Sequence, residues 1–173
     1  MTIDVKNCPY EAEIKAAMTA YLPMWDWRWG MAQIYQESLY DPLAKSGVGA
    51  MGIAQFMPDT WMEVCDDLGY PDDASAFNPH AAIVAYAYYM AKLRKVWSHV
   101  DRSEDDRRRL TQASYNCGTG NMLRAQRLAG GSHEYIAIIA ALPQVTGQAN
   151  AHQTRDYVEK CQKWYNALIK ETT

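Results

Sequence analysis

The segment from Gln36 to Trp61 constrains the fold of this chain more than any other part of the sequence. An amphipathic helical run ends within it, because Pro42 disfavours helical geometry at the residue before it. Glu37 is thereby placed in the last turn of that helix. A loop or short hairpin must follow, and Pro58 can then open the next helix. The loop is expected because three glycines fall within six residues, Gly47, Gly49 and Gly52.

Helical periodicity dominates the rest of the chain, and alternating strand patterns are nearly absent. We predict helices over residues 9–21, from Pro23 to about 39 or 40, and over 58–68, 79–97, 104–116, 120–129, 132–141 and 154–170, with connectors at 69–77 and 143–152. No internal repeat or interdomain linker interrupts them. The sequence therefore predicts one all-α, mainly helical domain over residues 1–173, with a short loop or small hairpin after the helix that carries Glu37.

The composition of the 173 residues narrows the classes of function. With 49% apolar and 21% charged residues, the chain is typical of a soluble globular protein, and we expect a monomer. A net charge of −3 disfavours nucleic acid as a partner. No apolar stretch reaches the roughly 18 residues that membrane insertion requires. The first residues lack the pattern of a signal peptide, so we expect the protein to be held first in a cytoplasm.

The four cysteines and four histidines show no spacing typical of a disulfide framework or a zinc site. No CxxC pair, HExxH motif or Cys/His cluster occurs. We therefore expect free thiols, no metal and no cofactor.

Glu37 has the placement of a general acid for cleavage of a glycosidic bond. That reaction needs a carboxylic acid that stays protonated until it donates to the leaving oxygen. The carboxyl end of a helix favours the neutral acid by about 0.3–1 kcal/mol, and burial beside aromatic groups must supply the rest. The alternative is a helix-end glutamate bonded to loop amides. Asp41 and Asp59 are poor second acids, because Asp41 precedes Pro42 and Asp59 suits a helix cap.

Separate blocks of the sequence, in the same order as in the family, together resemble the soluble lytic transglycosylases, whose fold is related to goose-type lysozyme. SYNCGTGNM is similar to the family's AYNxGxG element, and QTRDYV is similar to its ETRxYV element. FNPHAAIVAYAYYMAKL resembles the family helix between the first two blocks. The blocks are Glu37-Ser38 with GAMGIAQFMPDTW at 49–61, the helix at 77–93, SYNCGTGNM at 114–122 and QTRDYV at 153–158.

The resemblance implies cleavage of the β-1,4 bond between N-acetylmuramic acid and N-acetylglucosamine in peptidoglycan. Glu37 would protonate the glycosidic oxygen, while the 2-acetamido group of the sugar stabilises the cation at C1. The Glu37 carboxylate would then take the proton of the muramoyl C6 hydroxyl as that oxygen attacks C1. The product is a 1,6-anhydro sugar, and no water is consumed. This scheme needs one acid.

The same resemblance implies a set of substrate-binding residues. The serine and glutamine among them would offer polar groups to the glycan, and the Tyr115–Asn116 pair would flank the acid. Met51 alternatively fills a gap in the core. Tyr157 alternatively packs in the core, because it shares a helical stripe with Cys161 and Trp164. The implied residues are Ser46, Met51, Gln55, Tyr115, Asn116 and Tyr157.

The chain departs from the family pattern at Ala54, Cys117 and Gln153. The family usually has methionine, a small residue and glutamate at these three positions. The departures bear on sugar contacts and pH optimum rather than on the reaction class.

The segments QIYQES and GIAQFMPDTW are similar to phage lysis enzymes and virion lysins. We therefore expect a bacteriophage endolysin, stored in the host cytoplasm and released by a holin to reach the peptidoglycan. A virion-associated lysin is the alternative setting. Two other functions stay open, a hydrolytic muramidase on the same fold and an inactive peptidoglycan-binding module.

Overall fold

The computed structural model describes residues 4–170, which are built mainly from α-helices. No strand occurs among the described residues, and the predicted all-α class is confirmed. Within the same residues, no helix is long and apolar enough to cross a membrane. The helices are α1 (Glu11–Tyr21), α2 (Arg28–Ser38), α3 (Pro58–Leu68), α4 (Pro79–Val96), α5 (Glu104–Cys117), α6 (Thr119–Leu128), α7 (Tyr135–Ala141), α8 (Pro143–Thr146) and α9 (Gln148–Ile169).

Proline and glycine fix several helix boundaries where the sequence predicts them. α3 begins with Pro58 and ends before Gly69, whose φ of 64° is left-handed. α4 begins with Pro79, directly after Asn78. The Oδ1 atom of Asn78 accepts hydrogen bonds at 3.0 and 3.3 Å from two backbone N–H groups of the first turn, as an N-cap does.

Two predicted boundaries are wrong. α2 begins at Arg28 rather than at Pro23, because Asp26 Oδ1 accepts a hydrogen bond from the backbone N–H of Arg28 at 3.0 Å and holds the chain in a turn. Residues 143–152, predicted as a connector, form α8 and the first turn of α9. Gly147 separates these two helices, since its φ of 82° is one that favours glycine.

Contacts among the described residues divide the chain into two compact units. One unit holds the residues up to Tyr89 and those from Cys161, and the other is Met90–Lys160. The boundaries between them fall inside α4 and α9. Each unit has buried apolar side chains, among them Ile14, Met18, Ile34 and Phe56 in the first and Leu110, Met122, Ile138 and Leu142 in the second. The single domain over residues 1–173 stays a prediction.

The chain turns sharply where α2 ends and then forms the small loop that the sequence predicts. Leu39 and Tyr40 have φ angles of 56° and 66°, a conformation that costs ordinary residues about 1–3 kcal/mol each. The buried Tyr40 anchors this turn, since its hydroxyl donates a hydrogen bond to Val5 O at 2.8 Å. In the loop, isolated antiparallel bridges pair Met51 with Lys45 and with Phe56.

Gly52 determines the path of this loop. Its φ is 71°, and a Cβ atom at this position would lie 1.9 Å from Ala76 O. We expect Gly52→Ala to lower the free energy of unfolding by at least about 2 kcal/mol, because strain and a backbone shift both contribute. Urea unfolding followed by circular dichroism measures the loss. Gly47→Ala is the control, since a Cβ there meets nothing within 4 Å, and equal losses in both variants would contradict this account.

Candidate active site

Glu37 is the second-to-last residue of α2 and is half-buried. The helix ends one residue later because Leu39 is left-handed, and the Leu39 N–H donates to Tyr35 O at 2.8 Å. All seven residues from Trp29 to Tyr35 are buried, so α2 is embedded up to the turn that carries the carboxyl group. The predicted helix end and the predicted position of Glu37 in the last turn are confirmed.

Tyr86 of α4 is a buried phenol near Glu37. Its side chain is 1% exposed. Burial raises the pKa of Tyr86 well above its usual value, and the Cys161 thiol and the Glu37 charge raise the pKa further. The last contribution places the carboxyl group within electrostatic range of the phenol. Sequence reasoning assigned Tyr86 no role, because a tyrosine in an apolar helix looks like an ordinary core residue.

Hydrogen bonds fasten the glycine loop to the end of α2. The Ser38 hydroxyl donates to Ile53 O at 2.7 Å. Across the loop, Ala44 O accepts from the backbone N–H of Gly52 at 2.9 Å. These bonds join residues far apart in sequence, so the loop has a defined position beside the turn that carries Glu37.

Three predicted binding residues lie in this loop, and all are half-buried. The Ser46 hydroxyl oxygen accepts a hydrogen bond from the Ala50 N–H at 2.9 Å, which closes a tight turn. The backbone of Met51 exchanges hydrogen bonds with Phe56 at 2.9 and 3.0 Å. Both residues therefore shape the loop, and their contact with a glycan stays a prediction.

Gln55 has a bracing role that the sequence did not reveal. Its φ is 51°, and its Nε2 donates to Ala44 O at 3.1 Å and to Gly52 O at 2.9 Å. Both bonds use the amide nitrogen. Within residues 4–170 its Oε1 accepts no hydrogen bond, so that oxygen can accept one from a bound hydroxyl or acetamido group.

The second and third sequence blocks meet in the unit Met90–Lys160. Asn116 at the end of α5 lines a pocket of about 190 Å³. The pocket is rich in amide groups, and it includes side chains from both blocks; its other lining residues are Cys117, Asn121, Thr146, Asn150, Gln153 and Thr154. Tyr115 on α5 is half-buried, and Tyr157 on α9 is 6% exposed. Sequence reasoning missed Asn121, although it lies in the second block.

The predicted site residues are thus distributed over both compact units. Glu37, Ser46, Met51 and Gln55 lie in the first unit, while Tyr115, Asn116 and Tyr157 lie in the second.

All four cysteines are thiols rather than members of disulfides, as predicted. Burial raises the pKa of both Cys8 and Cys117 to about 11. A hydrogen bond with Thr154 opposes the shift at Cys117 without reversing it. The thiol in the amide-rich pocket is therefore neutral near pH 7, and it is a poor nucleophile there. No group of three or more His, Cys, Asp or Glu residues within 4–170 could hold a metal ion.

Comparison with solved structures shows the fold. The chain matches the lytic transglycosylase Slt of Pseudomonas aeruginosa, solved as an inactive mutant, with a TM-score of 0.73 and 22% identity over 92% of this chain and 24% of that one. It matches the 70-kDa soluble lytic transglycosylase of Escherichia coli with a TM-score of 0.66 and 22% identity over 89% of this chain and 24% of that one.

Comparison of sequences gives curated relatives named membrane-bound lytic murein transglycosylase F. The protein of Desulfosudis oleivorans is 31% identical over 159 residues, which cover 83% of this chain and 33% of the relative. The protein of Aliivibrio fischeri is 28% identical over 180 residues, which cover 88% of this chain and 34% of the relative. The chain thus spans about a third of the length of these relatives.

The family described as "Transglycosylase SLT domain" matches residues 15–138. The match contains Glu37, the glycine loop and the SYNCGTGNM block, and it ends before QTRDYV. Because this match covers most of the chain, the chain belongs to the Transglycosylase SLT domain family.

Proposed function

We propose that this chain is a peptidoglycan lytic transglycosylase that uses Glu37 as its acid and base. The observation that carries the proposal is the position of Glu37, half-buried in the last turn of α2 within the segment that matches the family. The substrate is the β-1,4 bond between N-acetylmuramic acid and N-acetylglucosamine.

In the first step, the Glu37 carboxyl group donates its proton to the glycosidic oxygen, and the bond from C1 to that oxygen breaks. The 2-acetamido group of the muramoyl residue stabilises the cation that forms at C1. In the second step, the Glu37 carboxylate accepts the proton of the C6 hydroxyl while that oxygen bonds to C1. The acid is thereby restored, and a 1,6-anhydro end is formed without water.

The surroundings of Glu37 support its role as the proton donor. The backbone carbonyls at the end of α2 disfavour a negative charge on the Glu37 side chain, and the buried phenol of Tyr86 lies within electrostatic range of it. The Ser38 bond to Ile53 O holds the turn that carries the acid. A carboxyl group that is neutral and fixed in place can donate a proton to an ether oxygen.

The carboxyl groups nearest in sequence support a scheme with a single acid. Asp41 is exposed, and its Oδ1 accepts a hydrogen bond from the Leu43 N–H at 2.8 Å. Asp59 is exposed in the first turn of α3, where a carboxylate is favoured by the helix dipole. Neither is placed as a second acid of a glycosidase would be, so internal attack by the C6 hydroxyl fits better than attack by water.

Replacing Glu37 with glutamine tests the acid. We expect Glu37→Gln to keep the fold and to lower the rate of peptidoglycan cleavage at least about 100-fold, because an amide cannot donate the proton. Release of soluble muropeptides from purified sacculi measures the rate. Glu63→Gln, at an exposed position of α3, is the control, and its rate should match that of the parent. Parent-like activity in Glu37→Gln would remove Glu37 from the mechanism.

Mass spectrometry of the same digests identifies the nucleophile. Anhydro-muropeptides are expected from the parent chain. Reducing ends in their place would make the chain a muramidase, and binding to sacculi without any cleavage would make it an inactive wall-binding module.

We propose the phage endolysin as the biological setting, on the similarity of QIYQES and GIAQFMPDTW to phage lysis enzymes. The chain would be held in the host cytoplasm until a holin opens the inner membrane. Expressed without a leader in Escherichia coli, it should leave cells intact until a holin is co-expressed, and then optical density should fall. Glu37→Gln with the holin should not lyse cells. Lysis without the holin would contradict holin-dependent release.

A further inference from the structure

A pocket of about 220 Å³ lies in the unit Met90–Lys160, among α5, α7 and α9. Its floor is apolar, since Tyr135, Ile139 and Val158 line it and are 2–4% exposed. Its polar lining consists of charged side chains, with Arg109 from α5 and Arg155 and Glu159 from α9. No site residue named above lines this pocket.

The charges of this pocket do not all cancel one another. Arg109 Nε donates to Asp105 Oδ2 at 2.6 Å, but the same carboxylate also pairs with Arg108, so it offsets only part of the charge of the two guanidinium groups. Arg155 and Glu159 are one helical turn apart, a spacing at which opposite charges commonly pair. Yet neither makes a hydrogen bond or an ion pair with any residue from 4 to 170. The charged groups of Arg155 and Glu159 are therefore available to a ligand.

Tyr135 provides an independent sign of a polar ligand. Its hydroxyl is buried and has no hydrogen-bond partner among the described residues, whereas buried hydroxyls are nearly always bonded. The guanidinium of Arg109 lies 5.8 Å from the centre of the Tyr135 ring, which is within the range of a cation–π interaction.

We propose that this pocket binds the free end of an α-amino acid carried on a short aliphatic chain. Arg155 would bind the carboxylate, Glu159 would bind the ammonium group, and the methylene groups would lie on the floor formed by Ile139 and Val158. Glu159 would repel a simple anion, and Arg155 would repel a simple cation. If the proposed function holds, the source is the diaminopimelate residue of peptidoglycan stem peptides; free amino acids carry the same chemistry.

Methyl-detected NMR titration of the full chain with meso-diaminopimelate tests the site. We expect shifts at Ile139 and Val158, with binding at least tenfold weaker for pimelate, which lacks ammonium groups, and for 1,5-diaminopentane, which lacks carboxylates. Arg155→Met and Glu159→Gln should each weaken binding at least tenfold. Arg127→Met, on α6 and outside this pocket, is the control. Undiminished binding in both pocket variants, or equal binding of pimelate, would overturn the proposal.

A second measurement separates the two sources of the ligand. Glycan strands with stem peptides and strands stripped by an amidase are digested in parallel. We expect the parent to favour strands with stems, and Glu159→Gln to lose that preference while it cleaves stripped strands at the parent rate. An unchanged preference in Glu159→Gln would overturn the stem assignment. If the parent cleaves neither substrate, the proposed function fails, and the NMR titration still decides whether the pocket binds an amino-acid end.

Discussion

The hydrogen bond from the Ser38 hydroxyl to Ile53 O, at 2.7 Å, holds the end of α2 against the loop that follows it. Helix ends fray readily, and without this bond the last turn of α2, which carries Glu37, would do so. Two left-handed residues follow, and their strain is tolerated because the ring of Tyr40 is buried and its hydroxyl is bonded to Val5 O. Glu37 is therefore presented from a turn that these bonds hold in place, and such placement would favour the proposed proton transfer.

The same loop serves the fold and the proposed chemistry with the same side chains. Gln55 braces the backbone through its amide nitrogen, and its oxygen stays available. Ser46 closes a turn as an acceptor, and its hydroxyl hydrogen can still be donated. Substitutions at either position would change the loop geometry as well as the proposed sugar contact, so a loss of activity there does not by itself identify a substrate contact.

Local chemistry made much of the fold predictable. Pro58 and Pro79 begin helices because the first turn needs no N–H from them, and Gly69 ends α3 through its left-handed φ. Spacing alone therefore located α3 and α4. The start of α9 at Gln148 escaped prediction, because its first turn carries small and polar residues and shows no apolar stripe. Motif spacing predicted where Glu37 lies. The left-handed φ of Gln55 and the phenol of Tyr86 near the acid depend on tertiary contacts, which no local pattern encodes.

The protonated thiols have a practical consequence for the handling of this protein. At a pKa of about 11, only about one in ten thousand of the Cys8 or Cys117 side chains is a thiolate at pH 7. Disulfide exchange proceeds through the thiolate, so these two thiols react slowly with oxidants and with the same thiols of a second molecule. The chain can meet an oxidising environment, and be stored or assayed without a reductant, with little cross-linking through those two residues.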